Sequence, residues 1–309
     1  MNGYQPNLIE IIVVVATIGL IPLAVVTLTG FMKISVVLFL IRNALGVQQT
    51  PPNLVLYGIA LILSVYVTTP LIGDMYREVQ GRDLSLQNVQ QLEELGSALR
   101  PPLQAHLSKF ANESERGFFV QATETIWSPE ARADLRDDDL VVLIPAFVSS
   151  ELTRAFEIGF LLYIPFLVVD LLVSNVLMAM GMSMVSPTLI SIPLKIFLFV
   201  ALSGWSRLMH GLILSYGADG VGQDVFLSLM NKALMTVLLL SAPALIVAIV
   251  VGLSVGLLQA LTQIQDQTLP QVVKLVAVLL VIVFVGPLLA GQVAELGNLV
   301  LDNFPLWTR

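Results

Sequence analysis

The sequence predicts an all-α integral membrane protein built of bent helical hairpins, with a polar helical subdomain inserted between two of them. Composition is the first reason: 56% of the 309 residues are hydrophobic, only 12% are charged, and the mean hydropathy is +0.88. A soluble domain carries about 25% charged residues to face water. The second reason is length, because apolar runs of the roughly 20 residues that cross a hydrocarbon core recur along the chain. The third is the prolines that sit within or beside those runs.

The chain opens with an apolar run from Leu8 to Leu28, which Phe31 to Ile41 extends past Lys33. Met1 to Glu10 lacks the basic flank of a secretory signal, and the run outlasts signal-peptide length, so it reads as a retained membrane segment. A second run spans Leu54 to Ile72. The stretch Asp74–Asp139 then holds 13 acidic and 7 basic residues, most of the net charge of −7. Helical patterning around Leu84–Leu99 and Leu103–Trp127, on either side of Pro101-Pro102, predicts a small water-exposed helical subdomain. A partly disordered loop is the alternative for such a composition.

Apolar sequence resumes at Leu140 and continues with interruptions to Met184. Leu189–Tyr216, Val225–Leu261 and Val272–Leu301 follow, which makes six major apolar segments. Pro22, Pro70, Pro145, Pro165, Pro193, Pro243 and Pro287 lie in or beside them. Proline removes a backbone donor and disfavours a helix interior. In a membrane such breaks survive where protein or a water-filled cavity serves the freed carbonyls. Bent or discontinuous helices are therefore expected.

These signals divide the chain into a first membrane hairpin (1–73), an extracytoplasmic helical subdomain (74–139), a second hairpin (140–217), a linker (218–224) and a last hairpin (225–309). The linker is marked by Gly217-Ala218-Asp219-Gly220-Val221-Gly222, whose glycines favour flexibility. With Arg42–Asn53 in the cytoplasm, single crossings place the acidic subdomain outside. The same count puts Met178–Pro187 and the polar turn Gln263–Gln271 inside. Arg42 and Lys274 then flank inside turns, as the positive-inside tendency favours.

Several functions are excluded by composition. The absence of cysteine removes disulfide frameworks and thiolate metal sites. The acidic balance argues against nucleic acid, which needs clustered Lys and Arg. His106 and His210 are the only histidines, far apart in sequence. There is no P-loop, nucleophile elbow or His-Glu metal signature, so neither an enzyme nor a cofactor is expected.

Arg42-Asn43-Ala44-Leu45-Gly46-Val47-Gln48-Gln49-Thr50-Pro51-Pro52-Asn53 resembles the first cytoplasmic turn of the FliP/SctR family. Pro145-Ala146-Phe147-Val148-Ser149-Ser150-Glu151-Leu152 resembles that family's next hallmark. Ile158-Gly159-Phe160, Tyr163-Ile164-Pro165-Phe166-Leu167 and Asp170-Leu171 follow in the family's order. So do the methionine-rich Val176–Met184, Pro187, Pro193 and Lys195. The resemblance covers residues 1 to about 217. From about 222 onward the chain is similar to a second family, FliQ/SctS. Gln259-Ala260-Leu261-Thr262-Gln263-Ile264-Gln265-Asp266-Gln267-Thr268-Leu269-Pro270 carries that similarity, with Lys274 beyond. The two families normally occur as separate chains, so this sequence departs from the pattern by fusing them.

The resemblance implies a subunit of the export gate of a type III, flagellar-type secretion system, placed in the bacterial inner membrane. There the helices form a pseudo-helical cone, largely raised toward the periplasmic side, that opens for unfolded secreted proteins. Implied partners are further copies of the chain, a FliR/SctT-type subunit, a FlhB/SctU-type switch protein and a FlhA/SctV-type export gate protein. The Arg42-Asn43 and Gln265-Asp266 forms lean toward the injectisome branch. The family's assembly holds more copies of the first module than of the second, which a one-to-one fusion departs from.

Candidate site residues follow from both readings. Met178, Met180, Met182 and Met184 alternate with small residues. In an extended turn that spacing puts four side chains on one side. Flexible thioethers suit a deformable seal, and the resemblance assigns the turn a gasket role. Packing inside a helix, or soft-ligand binding of copper(I), are the other readings. Gln263, Gln265, Asp266 and Gln267 form a polar turn that either caps helices in water or, by the resemblance, contacts the switch protein. Glu151, Arg154, Glu157, Asp170 and Lys195 lie in or beside apolar segments, as do Lys33 and Arg207. Membrane charges are costly and usually paired. Salt bridges between subunits are expected, with a proton relay as the alternative. Gly252 and Gly256 form a small-xxx-small pair suited to tight packing. The competing function is a self-contained secondary transporter for ions or small solutes, which broken helices and membrane charges would also serve. A purely structural scaffold is a third reading.

Overall fold

The computed structural model describes residues 8–80, 89–182, 184–217, 224–263, 266 and 268–307. The expected linker residues 218–223, together with Gln265 and Gln267, lie outside the described residues. All regular structure among the described residues is helical. In chain order the helices are α1 (Leu8–Leu28), α2 (Phe31–Ala44), α3 (Asn53–Val79), α4 (Val89–Phe110) and α5 (Glu113–Ile126). They are followed by α6 (Leu140–Ala179), α7 (Thr188–Ala201), α8 (Gly204–Leu214), α9 (Asp224–Thr262) and α10 (Thr268–Trp307). Four of these are long and apolar enough to cross a membrane, and counting each bent pair α1–α2 and α7–α8 as one span raises the number to six. The protein is an all-α integral membrane protein.

The bends do not fall at the prolines. α1 meets α2 at 66° across Thr29-Gly30, and α7 meets α8 at 64° across Leu202-Ser203. Pro22, Pro70, Pro193, Pro243 and Pro287 sit inside unbroken helices, and α6 runs through Pro145 and Pro165. Small and hydroxyl residues make the corners instead. The Thr29 hydroxyl accepts the Phe31 N–H at 3.3 Å, which serves a donor that the start of α2 leaves open. At the other corner Ser203 takes a left-handed conformation (φ 53°, ψ 40°). A Cβ on the neighbouring Gly204 would stand 2.3 Å from the Phe199 ring, so the chain needs glycine there to fold back.

Pro101-Pro102 likewise fails to separate two helices. α4 continues through both, and the break comes at Ala111-Asn112. Pro101 is exposed and Pro102 half-buried, and each removes one backbone donor without ending the helix.

The chain folds as two compact units. The first comprises residues 1–38 and 53–156, the second residues 39–52 and 157–309. In the first unit α3 buries Leu56, Ala60, Ser64, Thr68 and Leu71, a single stripe at steps of four and three. Its other faces leave Leu54, Ile62 and Tyr66 exposed. Leu107 on α4 and Ala111 just after it form an apolar core with Leu143, Ala146 and Phe147 of α6. In the second unit α9 and α10 pack along each other, α10 also lies along α8, and α7 packs on α8. Glycines set the closest approaches. A Cβ on Gly211 would stand 2.2 Å from Phe304, and one on Gly297 would stand 2.5 Å from Leu202.

Candidate functional site

Three turns gather at one end of the second unit. The first follows α2, where Gly46 (φ +79°) closes the helix and its Hα side faces Ile192 of α7 so tightly that a Cβ would lie 2.8 Å from Cγ1. The second is the methionine turn between α6 and α7. The third is the polar turn between α9 and α10. The Gln271 side-chain amide, on the first turn of α10, donates to the Gly181 carbonyl of the methionine turn at 3.2 Å. Arg42 closes the first turn: its guanidinium lies 4.8 Å from the Phe39 ring centre and donates to the Pro51 carbonyl at 3.3 Å.

The methionine turn is not extended. α6 continues to Ala179 and is closed by a left-handed glycine, Gly181 at φ +76°. The Met182 N–H bonds the Leu177 carbonyl at 2.9 Å and the Gly181 N–H bonds the Met178 carbonyl at 3.0 Å. This is the hydrogen-bond pattern of a Schellman C-cap. Spacing of two therefore does not place the four side chains alike. Met180 is turned in at 8% exposure, whereas Met178, Met182 and Met184 face out at 61%, 37% and 98%. The helix end is what the alternation in sequence conceals.

On the polar turn Gln263 is exposed and left-handed (φ 59°), and Asp266 is exposed. One Asp266 carboxylate oxygen accepts from both the Thr268 N–H at 2.8 Å and the Thr268 hydroxyl at 2.6 Å, and so caps α10. Those two hydrogen bonds hold the Asp266 carboxyl below its ordinary range. The Gln259 amide donates to the Asp266 carbonyl at 2.6 Å across the turn.

The membrane charges meet partners within the chain. Lys33 and Glu151, 118 positions apart, form a fully buried pair at 3.3 Å. Arg154 reaches Glu151 at 3.4 Å and donates to the Phe110 carbonyl at 2.7 Å and the Asn112 side chain at 2.9 Å. Ser150 completes the cluster, accepting the Asn112 N–H at 2.9 Å and donating to the Ala146 carbonyl at 2.7 Å. Such satisfaction is what a buried charge requires. In the second unit Lys195 pairs with Asp170 at 2.5 Å and donates to the Ala44 carbonyl at 3.0 Å. Glu157 lies exposed on α6. Among the described residues no group of three or more His, Asp or Glu side chains is placed to hold a metal ion.

Sequence reading singled out Glu151, Arg154, Asp170, Lys195 and Lys33, which pair among themselves, but not which of them would pair. Lys33 carries a usable signal, as a lone cation in an apolar run. Asn112, the Ala44 carbonyl and Gln271 carry none, because only the fold brings them near. Gly252 and Gly256 do not act as a pair: a Cβ on Gly252 would meet the Lys274 side chain at 3.2 Å, and one on Gly256 meets nothing within 4 Å.

Comparison with known proteins gives two family matches. The FliP family matches residues 14–212, and bacterial export proteins, family 3, match residues 225–297. The chain is 53% identical over 220 residues to "Probable translocation protein y4yL" of Sinorhizobium fredii, covering 71% of this chain and 99% of that protein. It is 48% identical over 212 residues to "Yop proteins translocation protein R" of Yersinia pestis, covering 69% and 98%. It is also 48% identical over 209 residues to "Hypersensitivity response secretion protein HrcR" of Ralstonia nicotianae, covering 67% and 96%.

Proposed function

We propose, starting from the premise that the chain belongs to the FliP family and is a component of a type III secretion export apparatus, that it forms the export pore itself. Proteins of this family are structural parts of secretion apparatuses, not enzymes. In this reading copies of the chain assemble with a FliR/SctT-type subunit in the bacterial inner membrane, much of the assembly projecting to the periplasmic side. Unfolded proteins pass through its centre. The segment 74–139 is the extracytoplasmic subdomain, and the three gathered turns face the cytoplasm.

The observation that carries this reading is the methionine turn. Met178, Met182 and Met184 stand out from a helix end, beside a turn on which Gln263 and Asp266 are exposed. An exposed large apolar group at a polar end of a subunit has a use when copies bring it together. Unbranched thioethers from several copies close a hole and yield around a passing chain. The polar turn at Gln263, Gln265, Asp266 and Gln267 is the docking point for a FlhB/SctU-type switch protein, with a FlhA/SctV-type protein beyond it. The ion pairs of Glu151, Arg154, Asp170 and Lys195 brace each subunit.

Replacing Met178, Met182 and Met184 together by Ala is expected to raise ion leakage when the complex is overproduced. Met180→Ala, a buried position, serves as the comparison that removes packing without opening the seal. Unchanged conductance of a normally assembled triple variant would sink the gasket.

A further inference from the structure

The two modules are joined by a covalent tether, and the contacts of the second unit say what that tether does. The C-terminal hairpin meets the helices before it at three separated places. At one end Gln271 of α10 holds the Gly181 carbonyl at 3.2 Å. Midway, the Asn175 amide of α6 donates to the buried Ser241 hydroxyl of α9 at 2.8 Å. At the far end Arg207 of α8 donates to Asn298 at 2.6 Å and pairs with Asp302 at 3.3 Å, both on α10.

Shape supports the polar contacts. Gly211 of α8 leaves the room that the Phe304 ring fills, and Gly297 of α10 leaves the room that Leu202 fills. Phe304 and Val300 are fully buried, as is Leu208 on α8. Small residues that admit large ones across a helix pair are how membrane helices gain contact without a hydrophobic driving force between them. The fit is reciprocal: each side supplies one glycine and one bulky side chain.

We propose that α9–α10 is a permanently docked subunit of its own chain, held in cis by this interface, so that residues 218–223 are dispensable once docking has occurred. A tether raises the effective concentration of the hairpin at its own dock far above that of a neighbour's hairpin. The interface then retains it. In an assembly the two modules occur one to one, each first module carrying its own hairpin.

The chain has no cysteine, so introduced thiols are the only ones present. One full-length chain carries Asn175→Cys and Ser241→Cys, and a second carries Leu202→Cys and Gly297→Cys, each with a protease site placed within residues 218–223. After purification in detergent and mild oxidation, cleavage is expected to leave the two fragments joined at the mass of one chain, separating on reduction. When the two cysteines of a pair sit on different co-expressed chains, one lengthened by a tag, no joined species is expected. Without oxidation, the cleaved fragments are expected to co-elute in equal amounts. Links formed only between chains, absence of a link for both pairs, or separation of the cleaved fragments would each overturn the proposal.

Discussion

α6 and α10 are both 40 residues long and both apolar enough to cross a membrane, yet half of the most apolar stretch of α6 is buried inside the molecule and only 6% of that of α10. The difference lies in their polar and small residues. α6 carries Glu151, Arg154 and Asp170, each with a partner in the chain, and its buried side chains include Phe147, Ala155, Ile158 and Leu162. α10 buries Val293, Leu296, Gly297, Val300, Leu301, Phe304 and Pro305 at its end, where Gly297 admits Leu202 and Phe304 fills the space over Gly211. Earlier in α10 Val276, Leu280, Val283, Phe284 and Leu288 are exposed. Hydropathy thus marks what a helix presents to lipid or to other subunits. Charge and glycine mark where it meets its own chain.

The strongest way to break that comparison is to remove a charge from α6. Glu151→Ala leaves the fully buried Lys33 ammonium without its carboxylate. Removing one partner of a buried pair costs roughly 3–5 kcal/mol, enough to abolish assembly of a marginally stable subunit. Phe284→Ala on α10, at 81% exposure, removes a larger side chain. It should change the stability of the isolated chain by less than about 0.5 kcal/mol. Thermal unfolding of the detergent-solubilised variants compares them. Equal loss at both positions would mean that the burial contrast between the helices has no energetic meaning.

Glycines within α10 give a sharper and smaller contrast. Gly297→Leu drives a side chain into Leu202, whose Cδ1 lies 2.5 Å from where the Cβ must stand. Overpacking of this kind costs about 1–3 kcal/mol. Gly291→Ala, six positions earlier, meets nothing within 4 Å. It should stabilise the helix by up to about 1 kcal/mol through propensity alone. The sign of the change is the result to read. A destabilising Gly291→Ala would show that this face is packed in the solubilised protein and that the open space over Gly291 is not there.

The helical class, the six apolar segments and the charged residues of α6 were legible in the sequence because each rests on local composition or period. Leu54–Ile72 and Val272–Leu301 show it directly: both runs became continuous helices in place. The bends were not legible, because proline advertises a break that a membrane helix can absorb, while Thr29-Gly30 and Leu202-Ser203 look ordinary in sequence. The methionine spacing suggested an extended turn, and the left-handed Gly181 instead ended a helix there, turning Met180 inward. Glu151 and Arg154, three apart, were legible as neighbours on one helix face, whereas the pairing of Lys33 with Glu151 and of Asp170 with Lys195 was hidden by distance along the chain. Nothing near Glu151 points to a lysine 118 positions away.

The smallest expected effect tests how far the buried part of α6 reaches into the polar subdomain. His106 of α4 stands edge-on to Phe110, with ring centres 5.2 Å apart, and 6.2 Å from Phe147 of α6. Burial lowers its pKa below the ordinary histidine value; Lys109 on its own helix adds to that, and Glu151 on α6 opposes it. The folded protein therefore holds His106 neutral more firmly than the unfolded chain does. Its contribution is fully present above the ordinary histidine range near 6.5, and it is lost as pH falls through the lowered folded value, because the unfolded chain takes up the proton first. The melting temperature should fall more steeply between pH 7.5 and 5.5 for the native chain than for His106→Phe, which keeps the ring and removes the titration. Identical slopes would mean that the contact between α4 and α6 leaves His106 as free to protonate as in water.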